Sequence, residues 1–193
     1  VEVTSLGIQI HGGMGFIEET GAAQHWRDSR ITTIYEGTTG IQANDLVLRK
    51  LMRDDGATAK LFFSKVAETV AELEASERSE LKAIAERLGA GLDAWVKATD
   101  WLASIARNDR GALLAAAVPY LHLAITVCGG WQMGRAALAA AQKLTVGDGN
   151  ADFCAGKIVT ARFYASQVLP LTAAYGESVR SAGVVAAVTD KML

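Results

Sequence analysis

Beyond residue 56, apolar residues recur at spacings of three and four. Phe62, Val66, Val70 and Leu73 share one helix face, and Leu81, Ile84, Leu88, Leu92, Trp95, Thr99, Leu102 and Ile105 continue the pattern in a second, longer helix. A third element is predicted from about 112 to 144, with Pro119 and the pair Gly129-Gly130 as points where it kinks or breaks. Cys154, Ile158, Ala161, Ala165 and Val168 mark a fourth, stopped near Pro170, and a short turn with a terminal helix is expected over 176–193. Gly147-Asp148-Gly149-Asn150 is a turn signal that offers Asn150 as N-cap of the fourth helix. Strand signals are nearly absent. The expectation is an all-α chain whose later part is an antiparallel bundle with short connections.

The first 56 residues read differently, with Gly and Thr punctuating them heavily. Residues 1–10 look like the end of a helix stopped by Gly12-Gly13. Residues 14–27 look irregular, and a short helical or extended piece covers 28–35. A helix is predicted over 39–54: Thr39 and Gln42 form a capping-box pattern, and Ile41, Leu46, Val47 and Leu51 supply its apolar side. Asp54-Asp55-Gly56 ends it and is the best boundary in the chain, giving an expected division into 1–56 and 57–193.

Charge narrows the function classes. Nineteen Lys and Arg balance 21 Asp and Glu, for a net charge of −2, so general attraction to nucleic acid or an anionic membrane is not indicated. Apolar runs are broken before they reach spanning length, and no membrane helix is predicted. Cys128 and Cys154 lie in alanine-rich apolar contexts, which favours free thiols in a reducing, cytoplasmic setting over a disulfide. Neither they nor the scattered histidines suggest a metal site, so none is expected. Glu68, Glu72, Glu74, Glu77 and Glu80 read as a solvated face. His25 is assigned to the surface, His122 to the core, and Trp26, Trp95, Trp101 and Trp131 to packing. The chain opens at Val1-Glu2-Val3-Thr4 without an initiator Met or a signal-peptide pattern, and is expected to be part of a longer polypeptide.

Candidate chemistry centres on Ile34-Tyr35-Glu36-Gly37-Thr38-Thr39-Gly40-Ile41-Gln42. One carboxylate stands between an apolar run and a Gly/Thr turn that opens a helix. Desolvated on one side and met by backbone N–H donors on the other, it would suit a base removing a weakly acidic proton next to a carbonyl. The plainer alternative is a loop carboxylate that helps to cap the helix. Upstream, Gln9-Ile10-His11-Gly12-Gly13-Met14-Gly15-Phe16 and Trp26-Arg27-Asp28-Ser29-Arg30-Ile31 stand in order before it. Taken alone, Gly12-Gly13-Met14-Gly15 is an ordinary helix-terminating turn.

Together the three segments resemble the C-terminal helical domain of acyl-CoA dehydrogenases, where a Gln-x-x-Gly-Gly-x-Gly-aromatic turn precedes an Arg-Asp pair and a Tyr-Glu-Gly-Thr segment. The string from Gly12 through Glu18-Glu19-Thr20-Gly21 to Lys50 looks most like the branch acting on 3-methylthiopropionyl-CoA. The later helices resemble the helical extension of that branch and of larger members. The resemblance implies α,β-dehydrogenation of an acyl-CoA thioester with FAD as cofactor. Glu36 is then the base, its own N–H a donor to the thioester oxygen, and Gly37 the residue that lets substrate approach. Gln9, Ile10, His11, Gly12 and Gly13 match one flavin segment, and Thr38, Thr39 and Gly40 the second. Many members carry Gln where this chain has Gly40, so one side-chain contact to the flavin is lost or replaced. Arg27 and Asp28 are expected to support the loop. An electron-transfer flavoprotein as acceptor and a homodimer or tetramer are implied too. Three alternatives remain: an acyl-CoA oxidase, a non-catalytic relative that binds DNA in a stress response, and a bundle serving only assembly. The isolated chain is expected to bind FAD weakly and to be inactive.

Overall fold

A computed structural model describes residues 1–188 and Met192; residues 189–191 and 193 of the helix expected over 176–193 lie outside the described residues. Helices make up the ordered structure, with no strand among the described residues. The chain divides into two compact units, Val1–Gln42 and a second that begins at Ala43.

The first unit opens with α1 (Glu2–His11), which ends, as the glycine pair predicts, at Gly12, whose positive φ (62°) favours glycine. Residues 14–27 are not irregular. They form α2 (Gly13–Phe16), a 3₁₀ turn (Glu18–Thr20) and α3 (Ala22–Arg30), after which a second 3₁₀ turn covers Ile31–Thr33. Periodicity missed these pieces because they are too short to show a repeat and are held by local ties. The Thr20 hydroxyl donates to the Met14 carbonyl at 2.7 Å, and both Arg27 amino nitrogens grip the Glu18 carboxylate at 2.8 and 2.7 Å. Gly15 lets α2 fold onto α1, since a Cβ there would collide with the Ile8 carbonyl. Thr4 and Ser29 hydroxyls meet at 2.8 Å between α1 and α3. Only Gly15 and Ala23 are buried in this unit. Trp26, expected to pack, is 39% exposed.

The helix expected over 39–54 is a continuous run with three hydrogen-bonding patterns: α4 (Thr39–Asn44), a π-helical stretch (Asp45–Leu51) and a 3₁₀ turn (Met52–Asp54). In the π stretch, residues five apart come together, and Asp45 pairs with both Arg49 and Lys50. Asp55 (φ 50°) and Gly56 (φ 81°) turn left-handed and end the run. The Asp54 carboxylate accepts the Thr58 N–H at 3.0 Å and so opens the next helix.

The second unit is a bundle of α5 (Ala57–Glu74), α6 (Ser79–Ile105), α7 (Arg110–Ala115), α8 (Ala117–Val146), α9 (Ala151–Gln167), α10 (Leu171–Arg180) and α11 (Ala182–Ala186). In α6, six residues of the predicted stripe, Leu81, Ile84, Leu88, Trp95, Thr99 and Leu102, are buried, and the other two, Leu92 and Ile105, are half-buried. The buried face of α5 is Phe63, Val66, Thr69 and Leu73; Val66 and Leu73 are as predicted, Phe62 and Val70 are half-buried against the same core, and Thr69 goes inward to accept the Trp131 indole N–H at 2.8 Å. Pro119 lies in the first turn of α8, where its missing N–H costs little, so the break falls ahead of it at Ala116. Gly129-Gly130 does not interrupt α8. The pair admits side chains from the next segments instead: a Cβ on Gly129 would strike Tyr164, and one on Gly130 would lie 2.7 Å from Leu169. Leu169, 1% exposed in the turn between α9 and α10, also reaches Gly91 of α6. Asn150 caps α9 as its sequence context predicts, accepting the Phe153 N–H at 3.0 Å. His122 is half-buried and stacks on Tyr175 rather than sitting in the core. Cys154 is buried and Cys128 half-buried, both as free thiols.

Candidate active site around Glu36

Local sequence explains why the chain bends at Glu36. The 3₁₀ turn Ile31–Thr33 ends with the Ile34 and Tyr35 N–H groups both bonded to the Ile31 carbonyl, at 3.0 and 3.1 Å. Helix α4 starts at Thr39, and the Gln42 N–H donates to the Thr38 carbonyl at 3.0 Å. The residues between turn the chain, through two consecutive residues of positive φ: Glu36 at 57° and Gly37 at 100°. Gly37 is free to adopt such an angle. Glu36 is not, because its Cβ crowds the backbone there.

The Gln42 side-chain amide reaches back and donates to the Glu36 carbonyl at 2.5 Å. This replaces the expected capping box, in which Gln42 was to serve Thr39. Gly37 is needed for a second reason: a Cβ on it would lie 3.1 Å from Ile41 Cγ2 and 3.3 Å from Gln42 Nε2. Gln42 is the residue of the bend that its sequence context hides. A Gln six positions after an acid in a glycine-flanked turn was the available signal.

Two features of Glu36 bear on its chemistry. Its carboxylate takes no hydrogen bond from any described residue, so it caps nothing, and its own N–H has no acceptor among the described residues. An amide donor and a carboxylate base are thus both free on one residue. Glu36 is exposed in this chain and not desolvated, since the first unit buries too little to shield it.

Of the residues matched to flavin contact, Gln9, Ile10, His11, Gly12 and Gly13 form the exposed end of α1 and the start of α2. No atom lies within 4 Å of the Cβ positions of Gly12 and Gly13, so their backbone is open to close approach. Ile10 is 86% exposed beside them. Thr38, Thr39 and Gly40 open α4, where first-turn N–H groups lack helical acceptors, and Gly40 also faces open space. Open glycine backbone and first-turn N–H groups leave both segments accessible to a ligand. Among the described residues no hydrogen bond or salt bridge joins the Gln9–Gly13 segment to Glu36–Gly40.

Arg27 supports the loop as expected, but through Glu18, not through Asp28. That pairing holds the Glu18 carboxyl below the usual carboxylate range. The two residues edge a cleft of about 480 Å³ with Ile8, Phe16, Ile17, Ala23 and Trp26, which does not include Glu36. His25 is exposed. No described helix is long and apolar enough to cross a membrane, and no group of three His, Cys, Asp or Glu among the described residues is arranged to hold a metal ion.

Comparison with known proteins matches residues 1–51 to the family described as "Acyl-CoA dehydrogenase, C-terminal domain" and residues 62–188 to "Acetyl-CoA dehydrogenase C-terminal like". The chain is 50% identical to 3-methylmercaptopropionyl-CoA dehydrogenase of Ruegeria pomeroyi over 88% of its own length and 28% of that protein's. It is 30% identical to a butyryl-CoA dehydrogenase of Syntrophomonas wolfei over 84% of its length and 27% of the relative. A 40-residue stretch, 21% of the chain, is 58% identical to the mitochondrial short-chain specific acyl-CoA dehydrogenase of Sus scrofa, covering 10% of that relative. The chain therefore spans just over a quarter of the length of the curated relatives that match along most of it.

Proposed function

The chain belongs to the acyl-CoA dehydrogenase family, as its C-terminal helical part, and we propose that it supplies the catalytic base of a flavin-dependent α,β-dehydrogenation of an acyl-CoA thioester. The observation that carries this reading is the coincidence, on Glu36, of a free carboxylate and a free backbone N–H in a locked left-handed bend. The carboxylate takes the α-proton. The N–H of the same residue meets the thioester oxygen as enolate charge develops there, lowering the barrier where charge appears. Gly37 leaves the approach clear of a Cβ. FAD, when bound, supplies the acceptor for the β-hydride, so that the thioester leaves as its α,β-unsaturated form. Gln9, Ile10, His11, Gly12 and Gly13 hold one part of that cofactor, and Thr38, Thr39 and Gly40 another.

Water must be kept from such a base for it to act on so weak an acid. The first unit cannot do this alone, and its bare Val3 and Phe16, each at least 80% exposed, are surfaces for further protein to cover. In this reading residues 1–56 are catalytic and 57–193 a supporting bundle. The substrate is a short thioether acyl-CoA, a choice supported by the 50% identity to the Ruegeria enzyme. An electron-transfer flavoprotein is the proposed acceptor, and a homodimer or tetramer the proposed assembly.

The test is Glu36→Gln in the full-length enzyme against a panel of acyl-CoAs. Flavin should stay bound, and its reduction by substrate should fall by orders of magnitude. Unchanged reduction assigns the base to another residue.

A further inference from the structure

Glu36 occupies a backbone conformation that residues with a Cβ adopt rarely, so the contacts that hold it there bear on where its side chain points. Two restraints are present in the bend. One is the close fit of Gly37 against Ile41 and Gln42; the other is the hydrogen bond from Gln42 Nε2 to the Glu36 carbonyl. The geometry points to Gln42 as a positioning residue, which aims the Glu36 carboxylate by fixing the peptide plane that follows it. This inference rests on the reading of Glu36 as the base.

The bond acts at the right place. The carbonyl it grips belongs to the Glu36–Gly37 peptide, so rotation about either the Glu36 Cα–C bond or the Gly37 N–Cα bond swings the acceptor away from the amide. Gln42 is itself anchored, because its backbone N–H starts α4 on the Thr38 carbonyl at 3.0 Å. One residue therefore ties the helix start at its main chain and the bend at its side chain. The chemistry of the tie selects Gln. Asn is one methylene too short. Glu, when ionised, turns an oxygen towards a carbonyl oxygen. Met fills the same space without a donor. Gly37 completes the arrangement, since any Cβ there would press on the amide that makes the bond.

The contact is exposed, and water competes for both partners. Its effect should therefore be small on folding and visible on the reaction, where a displaced carboxylate loses rate steeply. The experiment uses the full-length, FAD-loaded enzyme with Gln42→Met, Gln42→Asn and, as reference, Glu36→Gln. Three quantities are followed besides the rate constant for flavin reduction: affinity for a non-reactive thioether analogue of the substrate, hydrogen exchange of the amides at 35–40, and thermal midpoint. For Gln42→Met and Gln42→Asn, reduction should slow by about tenfold. Analogue affinity should stay within about threefold, which separates positioning from binding. Exchange at 35–40 should rise by about fivefold or more, with the midpoint moving by less than about 3 °C.

Reduction within twofold of the wild type in Gln42→Met, with Glu36→Gln inactive, overturns the positioning role. So does a rate loss that tracks a loss of flavin or a large fall in the midpoint, which would make Gln42 merely structural. An active Glu36→Gln enzyme removes the base assignment and the positioning role with it; faster exchange in Gln42→Met would then register the tie as a feature of folding only.

Discussion

Leu169 offers the sharpest test of how the bundle is held together, because it is wedged between two glycines on different helices. It is 1% exposed, and a Cβ built on Gly130 of α8 would lie 2.7, 3.0 and 3.1 Å from three of its side-chain carbons. On the opposite side, a Cβ built on Gly91 of α6 would lie 3.5 Å from Leu169 Cδ2, so α6 approaches the same side chain. Gly130→Ala gains about 1 kcal/mol of helix propensity. Against that, overpacking a closed site costs about 1–3 kcal/mol. The steric cost wins here, because Leu169 Cγ as well as both methyl carbons lies within 3.1 Å, so turning the methyls about Cβ–Cγ does not clear the clash, and the expected net destabilisation is about 1 kcal/mol. Leu169→Ala should cost about 3 kcal/mol, as a buried leucine truncated in a tight site. In the double variant the new methyl enters the space that the leucine vacates, so the combined loss should fall short of the sum by about 1 kcal/mol. Urea unfolding followed by circular dichroism measures all three, with an unchanged denaturant slope showing that the unfolding transition itself is intact. A stabilised Gly130→Ala protein, or a cycle additive to within about 0.3 kcal/mol, refutes the wedge.

Other outcomes follow from single contacts. Gly129→Ala should displace the Tyr164 ring and break its 3.1 Å bond to the Thr126 carbonyl, costing about 1–3 kcal/mol in the same urea assay, whereas Tyr164→Phe should cost less. Asn150→Ala removes the α9 cap and should cost about 1 kcal/mol, with Asn150→Ser recovering most of it. Asp45 is held at about 2, below its ordinary 3.8, chiefly by the hydrogen bond from Arg49, with Lys50 adding to it. A depressed carboxyl stabilises the fold above its ordinary pKa and loses that contribution as pH falls through the folded value, here between about pH 4 and pH 2. Asp45→Asn should accordingly be less stable than wild type at pH 7, with the gap closing by pH 2; a gap constant across that range contradicts the pairing.

How much of this was legible in the sequence depends on the length scale of the signal. The α6 stripe from Leu81 to Leu102 spans many turns, so its period outweighs any single residue, and it is found where expected. On α5 the polar Thr69 joins the buried face because it gains a partner in Trp131, 62 positions away, which no local pattern contains. Gly129-Gly130 reads as a breaker in one dimension and is a socket in three: the reason for the glycines lies on another segment. The short helices within residues 14–27 were invisible for the opposite reason, being fixed by pairs such as Arg27 with Glu18 and not by a repeat. At the candidate site, the bend at Glu36-Gly37 was legible from its composition. The partner of its carbonyl was not, because Gln42 also satisfied a capping pattern that the fold does not use.

Glu36 sits at φ 57°, where a side chain costs the backbone about 1–2 kcal/mol relative to glycine. Replacing it with Gly, or with the left-hand-tolerant Asn, should therefore make the protein hardier. A library selected for heat resistance alone would erode this position first, and would collect well-behaved proteins that have lost the acid. Retention of Glu36 through such a screen would require turnover, as well as survival, to be part of the selection.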